Sequence, residues 1–272
     1  MPHEPELEGT EEIYDALDGG DSERALALAR DAIRLSPVDD PVLRFLCGRA
    51  LMELDRPAEA VQEFEAALEV DAEDPEFRVY AAWALFRACR FTEAGSTLAA
   101  TADGGEPLPE AHYVRALLHE RQGDMEAAES EFGKAAATDP EWFPLPTRLT
   151  ADEFERQLSA AREALREPFK QHLDGLDVIV DDLPAEELLL ESEPPLDPEQ
   201  LLGMFVGVPL DEQSSFSPGG ELPPQIFLFK RNLERYVSGP EELAEQIRVT
   251  LYHELGHYLG MDEEDLEEVG YD

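Results

Sequence analysis

Cysteine is nearly absent from this sequence: Cys47 and Cys89 are the only two among 272 residues. They form no Cys-x-x-Cys pair, so neither a disulfide framework nor a thiolate metal site is indicated. Basic side chains are scarce as well, 21 Lys and Arg against 63 Asp and Glu, a formal net charge of −42. Binding to nucleic acid or to an anionic membrane by bulk electrostatics is therefore disfavoured. A charge of this size serves solubility, and salt would relieve its self-repulsion; a preference for basic protein partners is a weaker inference. No apolar stretch approaches the roughly 18 residues of a membrane-spanning helix, so no membrane contact is expected. Met1-Pro2-His3-Glu4 opens without an apolar run, so no signal peptide is expected and the cytoplasm is the default location.

The chain contains apolar residues enough, at 43%, for ordinary cores, and its length exceeds that of a usual single domain. Its first half repeats. Ala60, Phe64 and Ala67 recur as Ala128, Phe132 and Ala135, 68 residues on, or two periods of 34, with Ala94 and Leu98 at the same offsets between them. Ala25, Ala29, Ala32 and Pro37 precede the second copy by one period and one residue. Gly48, Ala82 and Ala116 mark a close contact in the first helix of three copies, where small residues let paired helices approach. Pro37 and Pro140 close second helices. This pattern resembles the tetratricopeptide repeat, over residues 9–141 in four helix pairs, the first and third degenerate. The resemblance implies a curved α-helical solenoid whose groove binds a protein partner.

The second half holds His253-Glu254-Leu255-Gly256-His257, a His-Glu-x-x-His sequence. On an α-helix, side chains four apart share a face, so both imidazoles can grip one ion. Glu254 lies about 100° further round, where it misses the ion but can reach a water that the ion activates. Ser238-Gly239-Pro240-Glu241 reads as the start of that helix, with a Ser-x-x-Glu capping box and proline in the first turn. Leu243, Ile247, Leu251, Leu255 and Leu259 then repeat every four residues, a face built for a core opposite the histidines. Gly260 ends the helix in the left-handed conformation. A catalytic zinc takes three protein ligands, and a carboxylate of the run Met261-Asp262-Glu263-Glu264-Asp265 can swing back as the third. Most of that acidic run reads as a solvated tail. Tyr252 and Tyr258 flank the histidines and could assist an oxyanion, although aromatic packing is the better reading. His112, His119 and His172 have no motif around them.

Residues 253–263 read H-E-x-x-H-x-x-G-x-x-E, which resembles the mini-zincins, a small zincin-like metallopeptidase family with Asp at the last place. Leu202-Gly203-Met204-Phe205-Val206-Gly207-Val208-Pro209-Leu210 and Leu222-Pro223-Pro224-Gln225-Ile226-Phe227-Leu228-Phe229-Lys230 are similar to two further family segments upstream. The resemblance implies zinc as cofactor, His253, His257 and Glu263 as metal ligands, and Glu254 as general base. The extra methylene of Glu263 leaves Asp262 open as an alternative ligand.

The expected fold class is thus an α-helical TPR-like solenoid followed by a small α+β zincin-like domain, residues 9–141 and 150–272, joined through 141–150. Thr150-Ala151-Asp152-Glu153 is a capping box opening a helix with Phe154, Leu158, Ala161 and Leu165 on one stripe. Strands are expected over 176–180, 203–208 and 225–229, with 183–198 a loop containing one helical turn. Gln225–Phe229 reads equally as an edge strand open to an extended peptide or as core β-structure. The expected function is that of a zinc metallopeptidase hydrolysing peptide or protein substrates, with the repeats recruiting them. The alternative is a non-enzymatic interaction protein whose zincin module is structural or vestigial.

Overall fold

The computed structural model describes residues 10–100, 108–165, 169–173, 175–210 and 223–269. The expected repeat start at residue 9, Leu222 of the upstream motif and the end of the second domain at 272 lie outside the described residues. The chain divides into two compact units, Met1–Phe143 and Pro144–Asp272.

The first unit is built of helix pairs: α1 (Thr10–Asp18) with α2 (Ser22–Leu35), α3 (Pro41–Glu53) with α4 (Pro57–Val70), α5 (Pro75–Arg87) with α6 (Phe91–Ala99), and α7 (Pro109–Gln122) with α8 (Met125–Thr138). Local sequence starts these helices. The Asp40 and Asp74 side chains each accept two amides of the first turn, and Pro41, Pro57, Pro75 and Pro109 occupy the first helical position. The residues that recur at the repeat period are those that disappear into the core: Ala60, Phe64, Ala67, Ala94, Leu98, Ala128, Phe132 and Ala135 are all at most 2% exposed. Burying each phenylalanine stabilises by about 1.5–3 kcal/mol. Gly48 explains the small residue at its position: a Cβ there would stand 2.5 Å from Cε1 of Phe64. Pro37 and Pro140 each follow two residues after a second helix ends, at Leu35 and Thr138. After α8, Phe143 folds onto Tyr113 and Trp83, with ring centroids 5.1 and 6.3 Å apart. Cys47 and Cys89 are buried and neither is in a disulfide, and burial pushes the Cys47 thiol up to about 11, away from the thiolate form.

The second unit comprises α9 (Ala151–Ala164), α10 (Phe169–Leu173), β1 (Asp177–Asp181), α11 (Glu186–Leu189), β2 (Gly203–Val206), β3 (Gln225–Phe229), α12 (Lys230–Tyr236), α13 (Pro240–Tyr258) and α14 (Glu263–Val269). The Thr150–Glu153 capping box forms in both directions. The other expected box does not. Gly239 takes the N-cap position of α13 without a side-chain bond, and the Ser238 amide donates instead to Glu242, 2.8 Å away. Pro240 takes the first helical position, which proline favours, and this puts the N-cap on Gly239 rather than on Ser238.

The sheet order is β1-β3-β2, with β1 parallel and β2 antiparallel to β3. Gln225–Phe229 is therefore the central strand, hydrogen-bonded on both sides, and the edge reading is overturned. Its Ile226, Leu228 and Phe229 are fully buried, as suits a strand covered on both flanks. Leu243, Ile247, Leu251 and Leu255 of α13 are also fully buried, against Phe154, Leu158 and Ala161 of α9 and Ile226 and Leu228 of β3. This apolar stripe fixes the rotation of α13 about its axis, and with it the direction in which the opposite face points.

Candidate metal centre

On that opposite face, His253 and His257 turn towards each other. Their Nε2 atoms lie 3.0 Å apart, the rings nearly perpendicular at 85°, with side chains 25% and 30% exposed. The end of α13 sets the second imidazole. Gly260 adopts φ +84°, and the amides of Gly260 and Met261 donate to the carbonyls of His257 and Gly256, closing the last turn as a Schellman motif. The Met261 carbonyl then lies 3.3 Å from Nδ1 of His257. A carbonyl can only accept, so this contact suits the tautomer with its proton on Nδ1, which leaves Nε2 as the nitrogen to face an ion. The Leu210 amide donates to the carbonyl of Tyr258 at 2.7 Å and satisfies a further helix-end acceptor.

The chain then turns into α14, and the acidic run is a helix, not a tail. The Asp262 carboxylate accepts from the Asp265 amide at 3.0 Å and the Asp265 carboxylate from the Asp262 amide at 3.3 Å, a reciprocal cap. Asp262 is thereby engaged in starting α14. Glu263, the first residue of α14, reaches back instead, with Oε1 3.5 Å from Nε2 of His257 and Oε2 3.9 Å from Nε2 of His253. Leu266 anchors the turn, fully buried against Gly256.

Among the described residues, His253, His257 and Glu263 form the cluster of three potential ligands, one atom from each lying within 4.8 Å of the others. Ligands about 2.0–2.2 Å from a tetrahedral zinc stand roughly 3.3 Å from one another. The separations of 3.0, 3.5 and 3.9 Å bracket that figure, and two imidazoles with a carboxylate are a donor set that zinc accepts. The residues present fit the ion.

Glu254 is 7% exposed, and its Oε2 accepts from the backbone amide of Phe205 on β2 at 2.7 Å. Burial pushes its carboxyl up to about 7; His253 and the Phe205 amide pull it down, and Glu263 pushes it further up. Tyr252 and Tyr258 are packing residues. The Tyr252 hydroxyl donates to the Ala161 carbonyl at 3.1 Å, and the Tyr258 ring rests 5.7 Å from that of Phe205. The contact of Phe205 with Glu254 spans 49 residues through a backbone atom, so no side-chain pattern signals it.

A family model described as tetratricopeptide repeat matches residues 16–78 and 51–118, a second of the same description matches 98–141, and one described as zincin-like metallopeptidase matches 173–271. The chain joins tetratricopeptide repeats to a zincin-like metallopeptidase domain. The family of that domain implies a metal. Solved structures similar to the chain include YrrB, a TPR protein with an unusual peptide-binding site, at 21% identity and a TM-score of 0.41, over 47% of this chain and 66% of that one. A thermophilic TPR protein of Thermus thermophilus is 16% identical with a TM-score of 0.41, over 47% and 71%. MamA of Desulfovibrio magneticus is 19% identical with a TM-score of 0.41, over 56% and 79%. No curated protein matches the chain. No helix among the described residues is long and apolar enough to cross a membrane.

Proposed function

We propose that the zincin-like domain, residues 150–272, is a zinc-dependent peptidase and that the repeats, residues 9–141, recruit the protein or peptide that it cleaves. The observation that carries this reading is the convergence of His253, His257 and Glu263 beside Glu254. His253 and His257 would hold the ion through Nε2 and Glu263 through its carboxylate. Zinc bound there supplies Lewis acidity, which polarises a carbonyl and lowers the pKa of water to about 7. Glu254 is the general base: its carboxylate takes the proton of the attacking water and returns it to the leaving amide nitrogen. The Nδ1–H of His257, held by the Met261 carbonyl, keeps that imidazole aimed. Partners at the repeats are proteins or peptides, as stacked helical repeats present an extended concave surface. The excess of acidic over basic residues disfavours nucleic acid and anionic membrane as partners by bulk electrostatics.

Burial of Glu254 favours a second reading, in which the module binds metal without turning over substrate and the repeats alone do the work. Elemental mass spectrometry of the full-length protein and of His257→Ala tests the metal first. Near-stoichiometric zinc, lost in the variant, supports the site; no zinc in either protein after supplementation refutes both readings of it. A screen with a mixed library of internally quenched peptides then separates the two. Cleavage that Glu254→Gln abolishes while retaining zinc establishes the peptidase, whereas zinc without cleavage leaves the module.

A further inference from the structure

We infer that the backbone amide of Phe205 is the positioning group of the proposed general base, fixing one oxygen of Glu254 so that the other is free for proton transfer. The catalytic half of this inference rests on the peptidase reading; the contact itself does not. In the antiparallel pair β2–β3, Leu202 accepts from the Phe229 amide at 2.9 Å, and Met204 stands opposite Phe227. Backbone groups of an antiparallel strand alternate in direction, so Leu202, Met204 and Val206 turn theirs to β3 while Gly203 and Phe205 turn theirs away. The Phe205 N–H is thus not a ladder donor. It points out of the sheet edge and meets Oε2 of Glu254 at 2.7 Å.

Two neighbouring features support the same arrangement. A Cβ on Gly203 would stand 2.6 Å from Cγ2 of Thr250 and 3.1 Å from Cγ of Glu254, so only glycine lets α13 come this close to β2. The Phe205 ring packs on Tyr258, one helical turn beyond Glu254, which ties the same residue to α13 a second time. Holding a carboxylate by one oxygen in a charge-assisted bond removes its rotational freedom before substrate arrives. The same bond occupies the outward amide of β2, so an extended peptide cannot use that amide without displacing Glu254.

The test uses the zinc-supplemented full-length protein and two independent readouts. In the first, hydrogen exchange at the Phe205 amide is followed by NMR, with Met204, a ladder residue, as internal control. Glu254→Ala is expected to speed exchange at Phe205 by about 10-fold or more and to leave Met204 unchanged. Equal exchange at Phe205 in both proteins overturns the inference whether or not any peptide is cut. In the second, Phe205→Pro removes the donor at an edge position where proline costs no ladder bond, and Phe205→Leu keeps the donor while changing the ring. With the quenched-peptide library, kcat of Phe205→Pro is expected to fall about 10- to 100-fold below that of Phe205→Leu, at unchanged KM and zinc content. Equal kcat in the two variants overturns the positioning role. Wild-type protein without turnover fails the peptidase reading and the catalytic half with it, while the exchange readout still decides the contact.

Discussion

Leu266 of α14 fills the space over Gly256 where a side chain would otherwise stand, and this contact packs the helix of the histidines against the helix of Glu263. Gly256 has ordinary helical φ, so alanine there would raise helix propensity by about 1 kcal/mol were there room. There is none, and we expect Gly256→Ala to destabilise the protein by about 1–3 kcal/mol through overpacking and to weaken zinc retention. The check is a double-mutant cycle by urea unfolding. In a Leu266→Ala background the same glycine substitution should cost little or become stabilising. Equal cost in both backgrounds would show that Leu266 does not set the requirement for glycine.

Asp262 and Glu263 are neighbours with different tasks, and substitution separates them. Asp262→Asn keeps a side-chain acceptor for the Asp265 amide, so stability should change by no more than a few tenths of a kcal/mol and zinc binding should persist. Asp262→Ala removes the cap and is expected to cost about 0.5–2 kcal/mol. Glu263→Gln should leave folding nearly intact and lower zinc affinity by at least about 10-fold, read by competition with a chromophoric chelator. Loss of zinc affinity in Asp262→Asn comparable with that in Glu263→Gln would reverse the assignment.

The parts legible in the sequence are those that recur at a fixed spacing. Phe64 and Phe132, 68 residues apart, share a role because each repeat solves the same packing problem, and both are buried on second helices. The stripe from Leu243 to Leu255 likewise announces α13, since period four is the period of a helix face. What the sequence hides is set by long-range pairing. Whether Gln225–Phe229 lies at the edge or centre depends on where β1 and β2 come to rest, which no property of those five residues encodes. The helix α14 is hidden for another reason: its acidic composition suits a solvated tail equally well, and Leu266 alone distinguishes the two. The short α10 and α12 carry too few turns for a periodicity to emerge.

The donors to the proposed ion come from two helices, α13 and α14, so bound zinc should stabilise the second unit by an amount that rises with the logarithm of its free concentration. At free zinc about 100 times Kd the gain is about 2.7 kcal/mol, and each further tenfold adds about 1.4 kcal/mol. Thermal unfolding followed by calorimetry should therefore show a transition that moves up with zinc and down with a chelator. In His253→Ala that dependence should vanish, while a transition unaffected by zinc persists. A wild-type profile indifferent to both zinc and chelator would leave the three side chains without an ion to hold.

Glu234 offers a test of a part that the sequence did not signal. Its side chain is fully buried, and it accepts from Lys230, from Arg148 at 3.0 Å, from Arg231 at 2.9 Å and from the Leu149 amide at 2.9 Å. Burial pushes its carboxyl up, but the Lys230 bond, the Leu149 amide and the surrounding cations outweigh burial and hold it below the usual carboxylate range. Unfolding returns the group to about 4.3, so as pH falls the unfolded chain takes up this proton first. The stabilisation is therefore full above about pH 5 and is lost as pH drops through the depressed value. Glu234→Gln leaves three cations facing a neutral amide, and we expect a loss of about 3–5 kcal/mol at pH 7. Subtracting the variant's stability from that of the wild type cancels the protein's other carboxylates. That difference, from urea unfolding, should shrink as pH falls below about 4. A difference constant from pH 7 to pH 3 would show that the variant is weakened by lost packing and that the charge of Glu234 contributes nothing.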